Sequence, residues 1–137
     1  LVFVGKGLME EVIQARGLPR VHLAGMQRGA ELAAAYASAD LFVLPSVTET
    51  FGNVLLEAMA SGVPALAAAA GGVLDFAVDG RNACLAAPGD AAAFASGMDE
   101  LLANPALRGR LADGGIATAA SRGWGPVLDQ LFAQFPP

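Results

Sequence analysis

The sequence predicts an α/β fold, a doubly wound (Rossmann-like) parallel sheet of about five strands with helices on both faces. Short apolar runs alternate with longer segments of helical spacing, which is typical of strand–helix–strand units. The runs are apolar along their whole length rather than at every second residue, as in strands that are buried on both faces. The length suits one domain, so we expect a single domain over residues 1–137.

Each predicted strand is an apolar run that stops at or near a turn-forming residue. Gly5 ends the first run, Gly25 the second and Pro45 the third, because glycine and proline interrupt a strand ladder. The fifth run leads into Pro88 and Gly89, and the fourth, which is rich in alanine, has the weakest pattern. In chain order, the predicted strands are residues 1–4, 21–24, 41–44, 64–68 and 83–87.

The segments between and after these runs predict helices. Residues 8–16 have apolar side chains on one side and acidic ones on another. The helix after the third strand has Asn53 as its expected N-cap and Gly62 as a left-handed C-cap. Asp90 caps a later helix, and Pro105 occupies the first turn of the next. The predicted helices are residues 8–16, 30–39, 54–61, 71–77, 91–103, 105–120 and 124–135.

The composition argues against several classes of protein. Hydrophobic residues make up 55% and charged residues 15%, which does not fit a disordered chain. No strongly apolar run reaches the roughly 18 residues of a membrane-spanning helix. The net charge of −5 comes without a basic stripe, so we expect no nucleic-acid partner. A single cysteine excludes an internal disulfide and a zinc site built on thiolates.

The loop after the third predicted strand, residues 45–53, carries the residues best suited to chemistry. In a doubly wound sheet, ligands bind outside the carboxyl ends of the strands, and this loop leaves such an end. Glu49 lies in the loop, and Gly52 allows a backbone to approach a ligand closely. If Asn53 caps the next helix, the amides of residues 54–56 form a positive end that can bind phosphate.

Two carboxylates flank that helix start with the spacing Glu-x7-Glu. Glu49 precedes the helix and Glu57 lies in its first turn, so a diphosphate would fit between them at the amides. Carboxylates accept hydrogen bonds well from paired hydroxyls, which makes Glu57 a candidate for a ribose diol and Glu49 for a sugar. Plainer interpretations stay open: Glu57 serves the helix dipole alone, Glu49 is a solvated loop residue, and Gly71–Gly72 is a simple turn.

The stretch that contains both carboxylates resembles a family signature. The run ETFGNVLLEAMASGVP, from Glu49 to Pro64, followed by Gly71–Gly72, is similar to that of retaining GT-B glycosyltransferases of family 4 (group 1). The segment TETFG is particularly similar to the subgroup that uses GDP-mannose, UDP-glucose or related donors for lipid and cell-surface glycans. The resemblance covers essentially the whole chain and implies the C-terminal, donor-binding domain of such an enzyme.

The resemblance implies a role for each site residue. Glu49 contacts the donor sugar and is the catalytic candidate, Glu57 binds the ribose, and Met26 lines the nucleobase pocket. The family also implies no metal, no cofactor and no protein nucleophile, since the leaving phosphate assists the acceptor on the same face of the sugar. The other implied donor contacts are Phe51, Gly52, Asn53, Val54 and Leu55.

The chain departs from the resembled family at its beginning. The family's donor domain opens with a strand–helix unit whose arginine and lysine neutralise the diphosphate, whereas Leu1 aligns with the strand after that unit. We therefore expect a donor domain truncated at its N-terminus, which also lacks the acceptor domain. The missing strand is central in the family's sheet. We expect residues 1–5 to pair directly with residues 41–44; a partner chain or an open slot in that place is the alternative.

The expected function is that of the donor-binding half of a bacterial retaining hexosyltransferase. It takes a GDP- or UDP-linked sugar and serves a lipid or glycan acceptor held by the missing domain, so the isolated chain should be inactive. The enzyme is expected in the cytoplasm, or at the inner membrane through that domain. The alternative is a module that binds a nucleotide or nucleotide sugar without turnover. An upstream reading frame that encodes an acceptor domain would favour the enzyme.

Overall fold

A computed structural model describes residues 1–134, and within them the chain alternates strands and helices. The strands are β1 (Val2–Val4), β2 (His22–Gly25), β3 (Phe42–Leu44), β4 (Ala65–Ala68) and β5 (Cys84–Ala86). The helices are α1 (Glu10–Ala15), α2 (Gly29–Ala37), α3 (Asn53–Ala60), α4 (Ala91–Ala103), α5 (Pro105–Ser121) and α6 (Trp124–Ala133), with a short 3₁₀ helix at Gly71–Asp75. Every predicted element is present with its type confirmed; the predicted end of the last helix, Phe135, lies outside the described residues.

All five strands pair in parallel, which confirms the α/β class, but they form two separate sheets. One sheet has the order β1-β2 and the other the order β3-β4-β5. The expected pairing of residues 1–5 with residues 41–44 is therefore wrong. β1 pairs instead with β2, to which α1 leads, and β3 pairs with β4, to which α3 leads.

The chain divides into two compact units, Leu1–Ala35 and Tyr36–Pro137. In the first unit, β1 is exposed along its whole length, and neither α1 nor α2 has a buried residue. The buried apolar residues all belong to the second unit. Among the described residues, no helix combines the length and the apolar character that crossing a membrane requires.

The core of the second unit is built on both faces of β4, whose four residues are all buried. Ala65 and Ala67 face one cluster, while Leu66 and Ala68 face the other, as the alternation of side chains along a strand requires. The first cluster includes Leu55 and Met59 of α3, and the second includes Phe94 and Leu101 of α4. This unit therefore has helices on both faces of its sheet, as the sequence predicts.

Asn82 is the polar residue that lies in this core, with 4% of its surface exposed. Its side-chain oxygen accepts a hydrogen bond from the Val78 amide at 2.7 Å. Its amide nitrogen donates to the Phe76 carbonyl and to the Thr118 hydroxyl, both at 2.8 Å. The side chain thus fastens the segment between the 3₁₀ helix and β5 to α5.

Replacing Asn82 with alanine should destabilise the protein, because the Phe76 carbonyl loses a buried donor. The Val78 amide and the Thr118 hydroxyl also lose a partner, in partly buried surroundings. Each unsatisfied buried group costs about 1–3 kcal/mol, so we expect the free energy of unfolding to fall by about 2 kcal/mol or more. Urea denaturation of the full-length protein measures this change. Ser96→Ala, at an exposed position of α4, is the control and should stay within about 0.5 kcal/mol of wild type. Equal effects of the two substitutions would contradict the assigned role.

Candidate functional site

The loop after β3 is held against the 3₁₀ helix by contact between two backbones. The Gly72 amide donates to the Glu49 carbonyl at 2.9 Å. A Cβ on Gly71 would lie 2.5 Å from that same carbonyl oxygen, and a Cβ on Gly72 would collide with the Thr50 carbonyl oxygen. No side chain fits between these backbones. Gly71–Gly72 is therefore more than a simple turn, because it sets the position of the loop that carries Glu49.

Gly52, rather than Asn53, occupies the N-cap position of α3. Gly52 has left-handed dihedral angles (φ 85°, ψ 39°), and no side chain caps the helix. A Cβ at Gly52 would also lie 3.1 Å from Cγ2 of Val73 in the 3₁₀ helix. The prediction of Asn53 as the N-cap is wrong, because the turn before the helix needs a conformation that favours glycine. Asn53 instead becomes the first helical residue.

The amides at the start of α3 divide into two groups. Those of Leu55 and Leu56 both donate to the Gly52 carbonyl, at 2.9 and 3.2 Å. Those of Asn53 and Val54 come earlier in the first turn, where an α-helix offers an amide no acceptor of its own. Asn53 and Val54 are also exposed, whereas Leu55 is fully buried. The first two residues are thus better placed for a ligand, and a donor contact of Leu55 stays a prediction.

Glu57 is the fifth residue of α3 and lies beyond its first turn, which contains no acidic residue. Its predicted place in the first turn is wrong, because the helix begins one residue earlier than expected. The helix dipole acts mainly on charges in the terminal turn, so the dipole alone accounts poorly for a glutamate at this position. Glu57 is exposed, and its Oε2 accepts a hydrogen bond from the Tyr36 hydroxyl at 3.1 Å.

Tyr36, near the end of α2, is absent from the sequence-based list of site residues. Its ring packs against Phe42 of β3 with 5.7 Å between the centroids. Its hydroxyl lies 3.1 Å from Oε2 of Glu57 and 3.3 Å from the carbonyl oxygen of Val54. Burial, the hydrogen bond with Glu57 and the negative charge of Glu57 raise the pKa of Tyr36 to about 12. The phenol therefore stays protonated, and able to donate, at neutral pH.

Phe51 and Gly52 rest on Phe76, which Arg122 supports in turn. The rings of Phe51 and Phe76 lie 6.0 Å apart at a tilt of 44°. The Arg122 guanidinium lies 5.5 Å from the centroid of the Phe76 ring and donates to the Asp75 carbonyl at 2.7 Å. Arg122 follows α5, so the end of that helix is tied to the segment beneath the loop. The sequence-based predictions did not include Arg122 either.

A depression of about 280 Å³ lies on the surface of the second unit beside α3 and the end of α5. It brings the Glu57 carboxylate and the Arg122 guanidinium to the same surface. Both groups are polar and suit a hydroxylated ligand better than an apolar one. The lining residues are Asn53, Leu56, Glu57, Ala60, Ala119 and Arg122.

The remaining two predicted residues lie in different units. Glu49 is half-buried, and within residues 1–134 its carboxylate has no hydrogen-bond or ion-pair partner. Met26 follows β2 in the first unit and is 56% exposed, so its place in a nucleobase pocket stays a prediction. In the described part of the chain, no three His, Cys, Asp or Glu side chains come together as a metal site would require.

Comparison of the sequence with known proteins gives consistent matches. A profile of the family described as "Glycosyl transferases group 1" matches residues 1–104. A D-inositol 3-phosphate glycosyltransferase from Frankia alni is 46% identical over 94 residues, which are 69% of this chain and 23% of that protein. A GDP-mannose-dependent alpha-mannosyltransferase from Mycolicibacterium smegmatis is 38% identical over 136 residues, which are 98% of this chain and 35% of that protein.

Comparison of the fold gives the same kind of relative. The crystal structure of Anabaena HepE in complex with UDP-glucose has a TM-score of 0.82 and 26% identity, over 97% of this chain and 39% of that one. This chain therefore spans less than two fifths of the length of each of these three relatives.

Substituting Gly72 with alanine should force the Glu49 loop away from the 3₁₀ helix, because the new Cβ meets the Thr50 carbonyl oxygen. Overpacking of this kind lowers the free energy of unfolding by about 1–3 kcal/mol. We expect a value in the upper half of that range, because the Cβ would meet backbone atoms of Thr50 and Phe51. Thermal unfolding of the full-length protein measures the loss. Gly109→Ala is the control, because its Cβ would meet nothing within 4 Å; in a helix it should be neutral or stabilising. A stable Gly72→Ala protein would show that the close contact is unimportant.

Proposed function

We propose that this chain, which belongs to the group 1 glycosyltransferases and has their GT-B fold, is the donor-binding half of a retaining hexosyltransferase of family 4. The observation that carries the proposal is the pair of glutamates around the start of α3. Glu49 is held in place through its backbone by Gly72, and Glu57 presents an exposed carboxylate one turn into the helix. The proposed donor is a hexose linked to UDP or GDP.

The diphosphate is proposed to bind at the first turn of α3. Asn53 and Val54 are exposed residues whose amides have no acceptor within the helix, and a helix N-terminus favours anions. No carboxylate lies in the first turn to repel the phosphates.

The two ends of the donor are proposed to bind the two carboxylates. A carboxylate can accept hydrogen bonds from both hydroxyls of a diol, and Glu57 offers such a group one turn beyond the proposed phosphate site. Glu49, with its unpaired carboxylate in the loop, is proposed to contact the hexose. Related proteins support the donor class: one relative is named as GDP-mannose-dependent, and the Anabaena structure contains UDP-glucose.

The proposed reaction proceeds with retention at the anomeric carbon. The bond from that carbon to the diphosphate breaks as the acceptor oxygen forms its bond on the same face, and the acceptor proton passes to the leaving phosphate. Glu49 orients the hexose while this occurs, without forming a bond to it. The lipid or glycan acceptor is proposed to bind outside the residues described here. We place the enzyme in the cytoplasm, at the inner membrane where its acceptor is a lipid.

Binding without turnover is the second candidate, and one observation favours it. Glu49 and Glu57, the two carboxylates of the proposed site, are both assigned to the donor and neither to an acceptor. A module of this kind would bind the nucleotide sugar and release it unchanged. The two candidates share the site and differ in whether any acceptor receives the sugar.

The two glutamates should affect different parts of the donor. In the full-length protein, Glu57→Ala should weaken binding of the bare nucleoside diphosphate by about tenfold or more, because hydrogen bonds to a charged group contribute about 1.5–3 kcal/mol each. Glu49→Ala should leave that affinity unchanged but weaken binding of the sugar nucleotide. Calorimetry with UDP, GDP, UDP-glucose and GDP-mannose tests both substitutions. Glu100→Ala, exposed on α4, is the control. Unchanged nucleotide affinity of Glu57→Ala would rule out its role with the ribose.

The 137-residue chain on its own should not transfer sugar. Transfer needs the acceptor to be positioned against the donor, and positioning can supply about 7–11 kcal/mol of the barrier. An assay with a radiolabelled sugar nucleotide and lipid or glycan acceptors would compare this chain with the full-length protein. Transfer by the short chain would contradict the prediction, and absence of transfer by both proteins would favour the binding module.

A further inference from the structure

One oxygen of the Glu57 carboxylate has a protein partner, and the other does not. Oε2 accepts the hydrogen bond from Tyr36 at 3.1 Å. Within residues 1–134, no group donates a hydrogen bond to Oε1. Glu57 is otherwise an exposed, long and flexible side chain on the surface of α3. The Tyr36 hydroxyl is thus the contact that restricts where this carboxylate points.

Tyr36 is itself fixed by groups that do not depend on Glu57. Its ring packs against Phe42 with 5.7 Å between the centroids, and α2 carries its backbone. The hydroxyl also lies 3.3 Å from the Val54 carbonyl oxygen. A phenol has a single proton, and the closer, charged acceptor is Glu57, to which hydrogen bonds are stronger. Tyr36 is therefore an anchored donor beside a mobile acceptor.

We propose that Tyr36 is a positioning residue for nucleoside recognition, whose hydroxyl holds Oε2 of Glu57 and leaves Oε1 to accept from the ribose diol. This inference rests on the proposed function, in which Glu57 binds that diol. Without the Tyr36 hydroxyl, the Glu57 side chain would have to be ordered when the nucleotide binds, and the loss of its rotamer freedom would weaken the affinity. With the hydroxyl in place, Glu57 is ordered before the nucleotide arrives.

The same hydroxyl connects two parts of the proposed site. Val54 belongs to the first turn of α3, whose first amides are proposed to bind the diphosphate, and Glu57 lies one turn further along. Tyr36 contacts both from outside the helix. Because its pKa is raised to about 12, the hydroxyl keeps its proton across the pH range of ordinary binding assays.

The test is Tyr36→Phe in the full-length protein, since phenylalanine keeps the ring against Phe42 and removes only the hydroxyl. The probes are UDP and GDP, whichever the wild type binds, and the 2′,3′-dideoxy form of the same nucleotide. Calorimetry should show about three- to tenfold weaker binding of the ribonucleotide, because the Glu57 side chain must then be ordered when the nucleotide binds. Binding of the dideoxy form should match wild type, because it has no diol for Glu57 to accept from.

The matched control is Ser61→Ala. The Ser61 hydroxyl also donates to Glu57, but to its backbone carbonyl, at 2.9 Å. Its removal should leave both affinities unchanged. A second measurement combines Tyr36→Phe with Glu57→Ala; the double variant should bind the ribonucleotide no more weakly than Glu57→Ala alone, since the hydroxyl acts only through the carboxylate.

Three results would overturn the inference, and they are distinguishable. Equal losses of ribonucleotide and dideoxynucleotide binding would make Tyr36 merely structural. If Tyr36→Phe leaves ribonucleotide affinity unchanged while Glu57→Ala lowers it, the role of Tyr36 is refuted and the proposed function stands. If Glu57→Ala also leaves ribonucleotide affinity unchanged, the ribose contact of the proposed function is refuted, and the inference is refuted with it.

Discussion

The contact between the backbones of Gly71–Gly72 and Glu49–Thr50 is the constraint on which the site depends. It exists because β3 and β4 are parallel neighbours in register, with Leu44 opposite Ala67, so the loops that follow them leave the same edge of the sheet. Parallel strands that end together bring their next segments together. Side chains would hold these segments apart, and glycine at both positions lets the Gly72 amide reach the Glu49 carbonyl. The place of a candidate catalytic carboxylate is thus set by two residues that have no functional group.

α3 connects that loop to the core, and one face of this helix is buried while the other is exposed. Leu55 and Met59 are fully buried against β4, which fixes the helix on the sheet. Asn53 and Glu57, on the other side, are exposed. Because the helix is rigid, every contact that holds the buried face also holds the exposed one. Phe76, which packs against Gly52 at the start of α3, therefore stabilises the site, and Arg122 in turn packs on the Phe76 ring.

The predictable part of this structure is the part encoded in local patterns. Apolar runs that end at or near glycine or proline predict the strands correctly, and the Asp90 cap is present, accepting from the Ala92 and Ala93 amides. The wrong predictions concern features set by distant groups. Asn53 is a favourable cap by residue type, but the turn that fits against Val73 is left-handed and takes Gly52 instead. The expected pairing of residues 1–5 with residues 41–44 treated similar hydrophobicity as a reason to pair, whereas β1 pairs with β2 and β3 pairs with β4.

The residues that sequence patterns could not identify are those whose contacts are with residues distant in the sequence. Tyr36 reaches Glu57 over a separation of 21 residues, and Arg122 reaches Asp75 over 47. Tyr36 lies in a helix and Arg122 directly follows one, and nothing beside them in the chain indicates which residues they contact. The Glu-x7-Glu spacing was visible because its geometry is local. With a helical rise of about 1.5 Å per residue, Glu57 lies about 6 Å along the axis from Asn53. The local motif therefore places Glu57 relative to the amides at the start of α3, whereas the fold sets the position of Glu49 and brings the Tyr36 hydroxyl to Glu57.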